Sequence, residues 1–139
     1  MNDHNYFDTF IAVAADCPVT EAKLPQRRGG RPTVATMQFE MLHDNPFTFT
    51  QEEVLFQVWF DRQEFDDLAD DEVETLRQQF FAKGQPCLRA SPLTKTHGWG
   101  VQFDGDGRAA IHPMESAEYA RLLADDSLTV LPAMRSKRA

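Results

Sequence analysis

The sequence contains few of the residues that mark secreted or membrane proteins. Two cysteines in 139 residues are too few for a disulfide framework. No apolar run approaches the roughly 20 residues that cross a bilayer. The first residues also lack the basic region and unbroken apolar core of a secretory signal, because Asp8 and Thr9 interrupt the apolar stretch. We therefore predict a cytoplasmic protein with no membrane partner, in which Cys17 and Cys87 are free thiols.

Positive charge is also scarce. Fourteen Lys and Arg against 22 Asp and Glu give a net charge of −8, which argues against a protein that binds nucleic acid over its whole surface. Residues 61–76 hold eight of the acids and one arginine, and we interpret them as a solvated loop and helix start. Six of the basic residues lie in two clusters, at 27–31 and at 135–138.

The length and composition favour one domain. The chain is 42% hydrophobic and 26% charged, which is typical of a globular protein and gives enough apolar residues for one core. We find no internal repeat, so residues 1–139 are predicted to be a single domain. Residues 20–33, rich in Pro, Gly and Arg, are predicted to be flexible, and residues 134–139 to form a basic tail.

The hydrophobic pattern predicts an α+β fold: a small, mostly antiparallel sheet with about four helices packed on it. Residues 33–44 fit both a helix and a strand, and the Pro32-Thr33 entry favours the helix. Thr50 and Glu53 have the spacing of a capping box, and Ser116 is a predicted helix cap. The predicted strands are 6–14 and 128–131, the hairpin is 99–112, and the helices are 33–44, 51–62, 71–83 before Gly84, and 116–125.

The segment 87–100 carries the most chemically active side chains. Arg89 and Lys95 could bind an anion, and Trp99 between two glycines could form an apolar wall of a pocket. The predicted ligand-binding residues are Arg89, Lys95, Trp99, His97 and Cys87. The alternative is a buried connector, in which Arg89 pairs with an acid of the same chain and Trp99 lies in the core.

Other kinds of site have weaker support. A nucleophilic Cys87 would need an imidazole nearby, such as His97 or His112, and no family-type motif surrounds it. Histidines and cysteines show no metal-ligand spacing, so no metal and no cofactor are predicted. Gly29-Gly30 lacks the Lys-Ser/Thr ending of a phosphate loop.

Three segments together resemble a known family. They are the opening Asn5-Tyr6-Phe7-Asp8-Thr9-Phe10-Ile11, the Ser91-Pro92-Leu93-Thr94-Lys95 segment with Gly98-Trp99-Gly100, and the closing MRSKRA. The chain resembles a family of small bacterial single-domain proteins of unknown function. The resemblance implies a bacterial origin and carries over no activity, substrate or catalytic residue.

Three hypotheses about function follow. In the first, the 87–100 segment binds a small anionic ligand or an acidic group of a partner. The second is an enzyme that uses Cys87, His97 or Lys95 on a small metabolite. The third is a structural protein that forms a homo-oligomer, joined through the basic tail and the acidic residues 61–76.

Overall fold

A computed structural model describes residues 5–136 and contains all of the predicted helices and strands. Within these residues there are five α-helices and one 3-10 helix, because the segment 87–100 is partly helical. In chain order the elements are β1 (Thr9–Ala12), α1 (Val34–Asp44), α2 (Gln51–Gln63), α3 (Asp70–Ala82), the 3-10 helix (Leu88–Ala90), α4 (Pro92–Lys95), β2 (Trp99–Phe103), β3 (Ala109–Pro113), α5 (Ala117–Leu123) and β4 (Thr129–Pro132).

Hydroxyl caps set where three of the helices begin. The Thr50 hydroxyl accepts the Glu53 backbone N–H at 3.3 Å, and the Glu53 carboxylate accepts the Thr50 N–H at 2.9 Å. The Ser116 hydroxyl caps α5 by accepting the N–H of Tyr119 at 3.1 Å. Thr33 caps α1, so the helical interpretation of 33–44 is the correct one. Each such cap stabilises its helix by about 1 kcal/mol.

The sheet is mixed, which corrects the prediction of a mostly antiparallel sheet. Its strand order is β3-β2-β1-β4, and β4 pairs with β1 in parallel, with Phe10 opposite Val130. The cause is α5, which joins β3 to β4 and contacts both β3 and β1. A helix that carries the chain across a sheet brings the next strand back in the same direction.

Successive side chains of a strand point to opposite faces of the sheet, and here they form two cores, one on each face. On the α5 face, Phe10 and Leu122 are fully buried and the Tyr119 ring lies edge-on to Phe10, with centroids 5.2 Å apart. On the other face, Ile11, Val101 and Ile111 align across three strands beneath α1 and α4.

The helix α3 is attached to the rest of the fold by few buried groups. Phe80 is its buried residue, and it contacts the rings of Phe56 and Trp59 on α2. Arg77 adds an ion pair with Glu52 at 3.0 Å. The eight acids of residues 61–76 are all exposed, as predicted for a solvated loop and helix start. No helix among the described residues is both long and apolar enough to cross a membrane.

Candidate anion-binding cavity

A tight turn places two arginines side by side. Gly29 and Gly30 have φ values of +59° and +77°, the signature of a type I′ turn. Arg28 and Arg31 exchange backbone hydrogen bonds of 2.9 and 3.1 Å across it. Residues opposite each other in such a pair have side chains on one face, about 5 Å apart at Cβ, and like charges there are unfavourable. A bound anion would remove that repulsion.

These arginines line a cavity of about 690 Å³. Arg27 from the same segment and Arg62 from the last turn of α2 also line it, as does His97. No carboxylate is found among the described residues that line it. The residues that begin α1 form another part of the wall, and the N–H groups and dipole of a helix N-terminus favour anions.

Most of this positive charge is not neutralised by the chain itself. Arg27 lies 3.7 Å from Glu40, but both side chains are more than half exposed, and such a pair contributes little. Within residues 5–136, no ion pair involves Arg28, Arg31 or Arg62. The cavity is therefore a local concentration of cations in a protein of net charge −8.

His97 is held in place at the cavity wall. Its Nδ1 lies 3.1 Å from the Pro92 carbonyl oxygen and 2.9 Å from the Thr96 hydroxyl, and these two contacts fix the orientation of the imidazole. The His97 carbonyl also accepts the Lys23 N–H at 2.9 Å, which connects the 20–33 segment to the end of α4.

A second, smaller cavity of about 230 Å³ adjoins the first. Val34, Arg62 and Pro92 line both cavities, while Leu55, Val58, Trp59 and Phe80 give the smaller one an apolar wall. Cys87 also lines it, and the Tyr6 hydroxyl donates to the Cys87 thiol at 3.4 Å. Burial, together with that hydrogen bond, raises the pKa of Tyr6 to about 12.

The cysteine–histidine contact that a nucleophilic Cys87 would need is not found among the described residues. Cys87 has Tyr6 as its hydrogen-bond partner, His97 lines the other cavity, and His112 bonds to Gln102 at 2.9 Å. Both cysteines are free thiols, as predicted. Within residues 5–136, no group of three or more His, Cys, Asp or Glu side chains is arranged to hold a metal ion.

Arg89, Lys95 and Trp99 do not line either cavity. The Arg89 guanidinium donates to the Pro132 carbonyl at 2.7 Å, which ties the 3-10 helix to β4. Trp99 is only 6% exposed, and its indole N–H donates to the Lys23 carbonyl at 2.8 Å. The buried Trp99 fits the alternative of a buried connector, whereas Arg89 donates to a carbonyl and not to the acid that this alternative predicted. A ligand-binding role for the three residues stays a prediction.

The basic residues at 27–31 are visible in the sequence as a cluster but are not among the residues predicted to bind a ligand. The signal that could have found them is two glycines between arginines, a common two-residue turn, in a stretch without an acid from residue 24 to residue 39. No local signal predicts Arg62, because it reaches the cavity from a different helix.

Comparison with known proteins identifies a family and no activity. No curated protein matches the chain, and no solved structure matches it. One family model, described as a family of unknown function (DUF6157), matches residues 1–139. The expected membership in a family of unknown function is thereby confirmed, and the chain belongs to the DUF6157 family.

Proposed function

We propose that this protein binds a small molecule through a compact anionic group, a phosphate or a carboxylate, held in the basic cavity. The observation that carries the proposal is the convergence of four arginines, from 27–31 and from α2, on one cavity without a lining carboxylate among the described residues. Of the residues predicted from the sequence, His97 belongs to this site.

The chemistry of the cavity suits an oxyanion. A guanidinium presents a planar fork of N–H donors that matches the oxygens of a phosphate or carboxylate, and two neighbouring forks can hold one group from two sides. The type I′ turn holds the Arg28 and Arg31 backbones together before any ligand arrives, which lowers the entropy lost on binding.

Calorimetric titration with inorganic phosphate at low ionic strength tests the proposal. Charge-assisted hydrogen bonds are worth about 1.5–3 kcal/mol each, so Arg28→Gln with Arg31→Gln should weaken binding at least about tenfold. The matched control is Arg108→Gln with Arg135→Gln, which removes the same charge from two exposed arginines outside the cavity. Equal affinity in the two double variants would refute the proposal.

The proposal also includes the origin and the cellular compartment of the protein. We infer a bacterial, cytoplasmic protein, from the resemblance described above and from a sequence with only two cysteines. A homo-oligomer joined through the basic tail stays a prediction. The Ser136 N–H donates to the Asp16 carboxylate at 3.0 Å, and Lys137 and Arg138 lie outside the described residues.

A further inference from the structure

We infer that the ligand is amphipathic: its anionic group occupies the basic cavity, and an alkyl or aryl group of the same molecule occupies the adjoining apolar cavity. This inference rests on the proposed function and names the class of ligand. It predicts alkyl or aryl phosphates and carboxylates rather than free inorganic anions.

The two cavities share a boundary built from three separate elements. Val34 begins α1, Pro92 begins α4 and Arg62 lies in the last turn of α2, and each of them lines both cavities. A guanidinium at this boundary can hold an anionic group while the carbon stem of the same side chain contacts an apolar one. The arrangement therefore places the charged and apolar parts of one small molecule next to each other.

The polar groups of the smaller cavity are largely occupied within the protein. The Ser91 hydroxyl donates to the Gln38 side-chain oxygen at 2.5 Å and accepts the Leu93 N–H at 3.1 Å. Both side chains are about 4% exposed. With those groups paired, Leu55, Val58 and Trp59 offer the ligand an apolar surface. A nucleobase or sugar, which needs several hydrogen-bond partners, fits this wall poorly.

The smaller cavity is open to solvent, and Leu55, Val58 and Trp59 form an apolar part of its wall. An alkyl or aryl group that covers this wall removes apolar surface from water, which contributes about 25 cal/mol per Å². Small-molecule sites typically combine such an apolar wall with a few convergent polar groups.

The first experiment compares hexyl phosphate with inorganic phosphate by calorimetry. Each methylene that becomes buried should tighten binding about fourfold, so hexyl phosphate should bind at least about tenfold more tightly. Ala90→Leu places extra methyl groups at the wall of the apolar cavity and should remove that advantage without weakening phosphate binding. The matched control is Ala120→Leu, an exposed position on α5.

The second experiment uses only the wild-type protein, so its result does not depend on whether a variant folds. Cys87 lines the apolar cavity and Cys17 lines neither cavity, so alkylation by N-ethylmaleimide gives one reporter and one internal control. Hexyl phosphate should slow alkylation of Cys87 several-fold and leave Cys17 unchanged, while inorganic phosphate should protect neither.

The outcomes separate this inference from the proposed function. If inorganic and hexyl phosphate bind equally and Cys87 is not protected, the amphipathic ligand is refuted while the anion site stands. If hexanol protects Cys87 as well as hexyl phosphate does, the two cavities do not act together and the inference also fails. If neither phosphate binds, the proposed function itself is refuted.

Discussion

In two segments of this protein, 98–100 and 28–31, glycines stand next to a side chain that could bind a ligand. Glycine has a different structural role in each segment. In Gly98-Trp99-Gly100, Gly100 admits other parts of the chain: a Cβ there would lie 2.6 Å from the Phe10 ring and 2.7 Å from the Tyr119 ring. Gly98 combines a close contact, 2.9 Å from its Cβ position to the Met114 sulfur, with a φ of +81°. In the 28–31 turn, a Cβ at Gly29 or Gly30 would meet no atom within 4 Å. There the glycines serve a backbone with positive φ.

The comparison shows what a glycine next to a polar or aromatic residue can indicate. A glycine within a strand often marks a place where another group approaches closely, and here that group is the protein's own core. A pair of glycines between polar residues indicates a tight turn, in which the flanking side chains are exposed to solvent. The candidate site contains this turn pattern, at Gly29-Gly30.

Substituting Gly100 should have the largest effect on stability. The Gly100→Ala methyl group has no room beside Phe10 and Tyr119, and overpacking of this kind typically costs about 1–3 kcal/mol. Urea unfolding should show this loss, while phosphate affinity measured well below the unfolding transition should stay unchanged. Wild-type stability in this variant would show that the Phe10 ring moves aside freely.

Gly30→Ala should have a smaller effect on stability and a clear effect on binding. Its φ of +77° lies in the region that costs an L-residue about 1 kcal/mol or more. The strained turn should relax, separate Arg28 from Arg31 and weaken phosphate binding. Calorimetry that shows full affinity in this variant would mean that the turn does not organise the site.

Gly29→Asn is the conservative counterpart and should change little. Asn-Gly is a preferred sequence for a type I′ turn, so the φ of +59° is retained, with a stability change of less than about 0.5 kcal/mol. Phosphate affinity should stay at the wild-type value. A large loss of affinity here would indicate that the segment requires glycine for some reason other than its turn geometry.

The last expected effect is a dependence of stability on pH, and it concerns the strand pair that contains Gly100. His112 is paired with Gly100 across β2 and β3, and burial lowers the pKa of its imidazole from 6.5, an effect that Glu118 partly opposes and Arg121 reinforces. The unfolded chain therefore takes up this proton first, and stability falls as the pH drops below about 6.5. His112→Gln should lose less stability than the wild type between pH 7 and pH 5, measured by urea unfolding. An identical pH dependence would contradict this assignment.

Local signals in the sequence predicted most of the fold. Capping residues such as Thr50 and Ser116 and the Asp-Gly turn of the hairpin act within a few residues of where they stand, so they can be recognised from the sequence. The parallel pairing of β4 was missed, although a helix predicted between two strands is itself typical of a crossover. No helix was predicted within 87–100, because its short helices, each of three or four residues, have no hydrophobic period to detect.

The candidate site was less predictable because it depends on distant residues. His97 was predicted, but its neighbours Arg28 and Arg31 are far away along the chain, and the Arg62 contribution depends on how α2 packs against α1. Trp99 was predicted as a pocket wall from its flanking glycines. The structure shows that the space beside Gly100 is filled by the Phe10 ring, and this contact depends on the pairing of the strands, which the sequence does not reveal.

The position of β1 in the sheet has a consequence for how the chain folds during synthesis. β1 is central, yet both of its neighbours come from the last third of the chain, at Trp99–Phe103 and Thr129–Pro132. Residues 13–98 must be translated before the first neighbour exists, which takes roughly 4–17 s at about 5–20 residues per second. During that time Phe10 and Ile11, both fully buried in the folded state, have no strand to pair with. Until β2 has been made, the nascent chain thus carries an unpaired apolar strand, the kind of segment that chaperones bind and that aggregates when they do not.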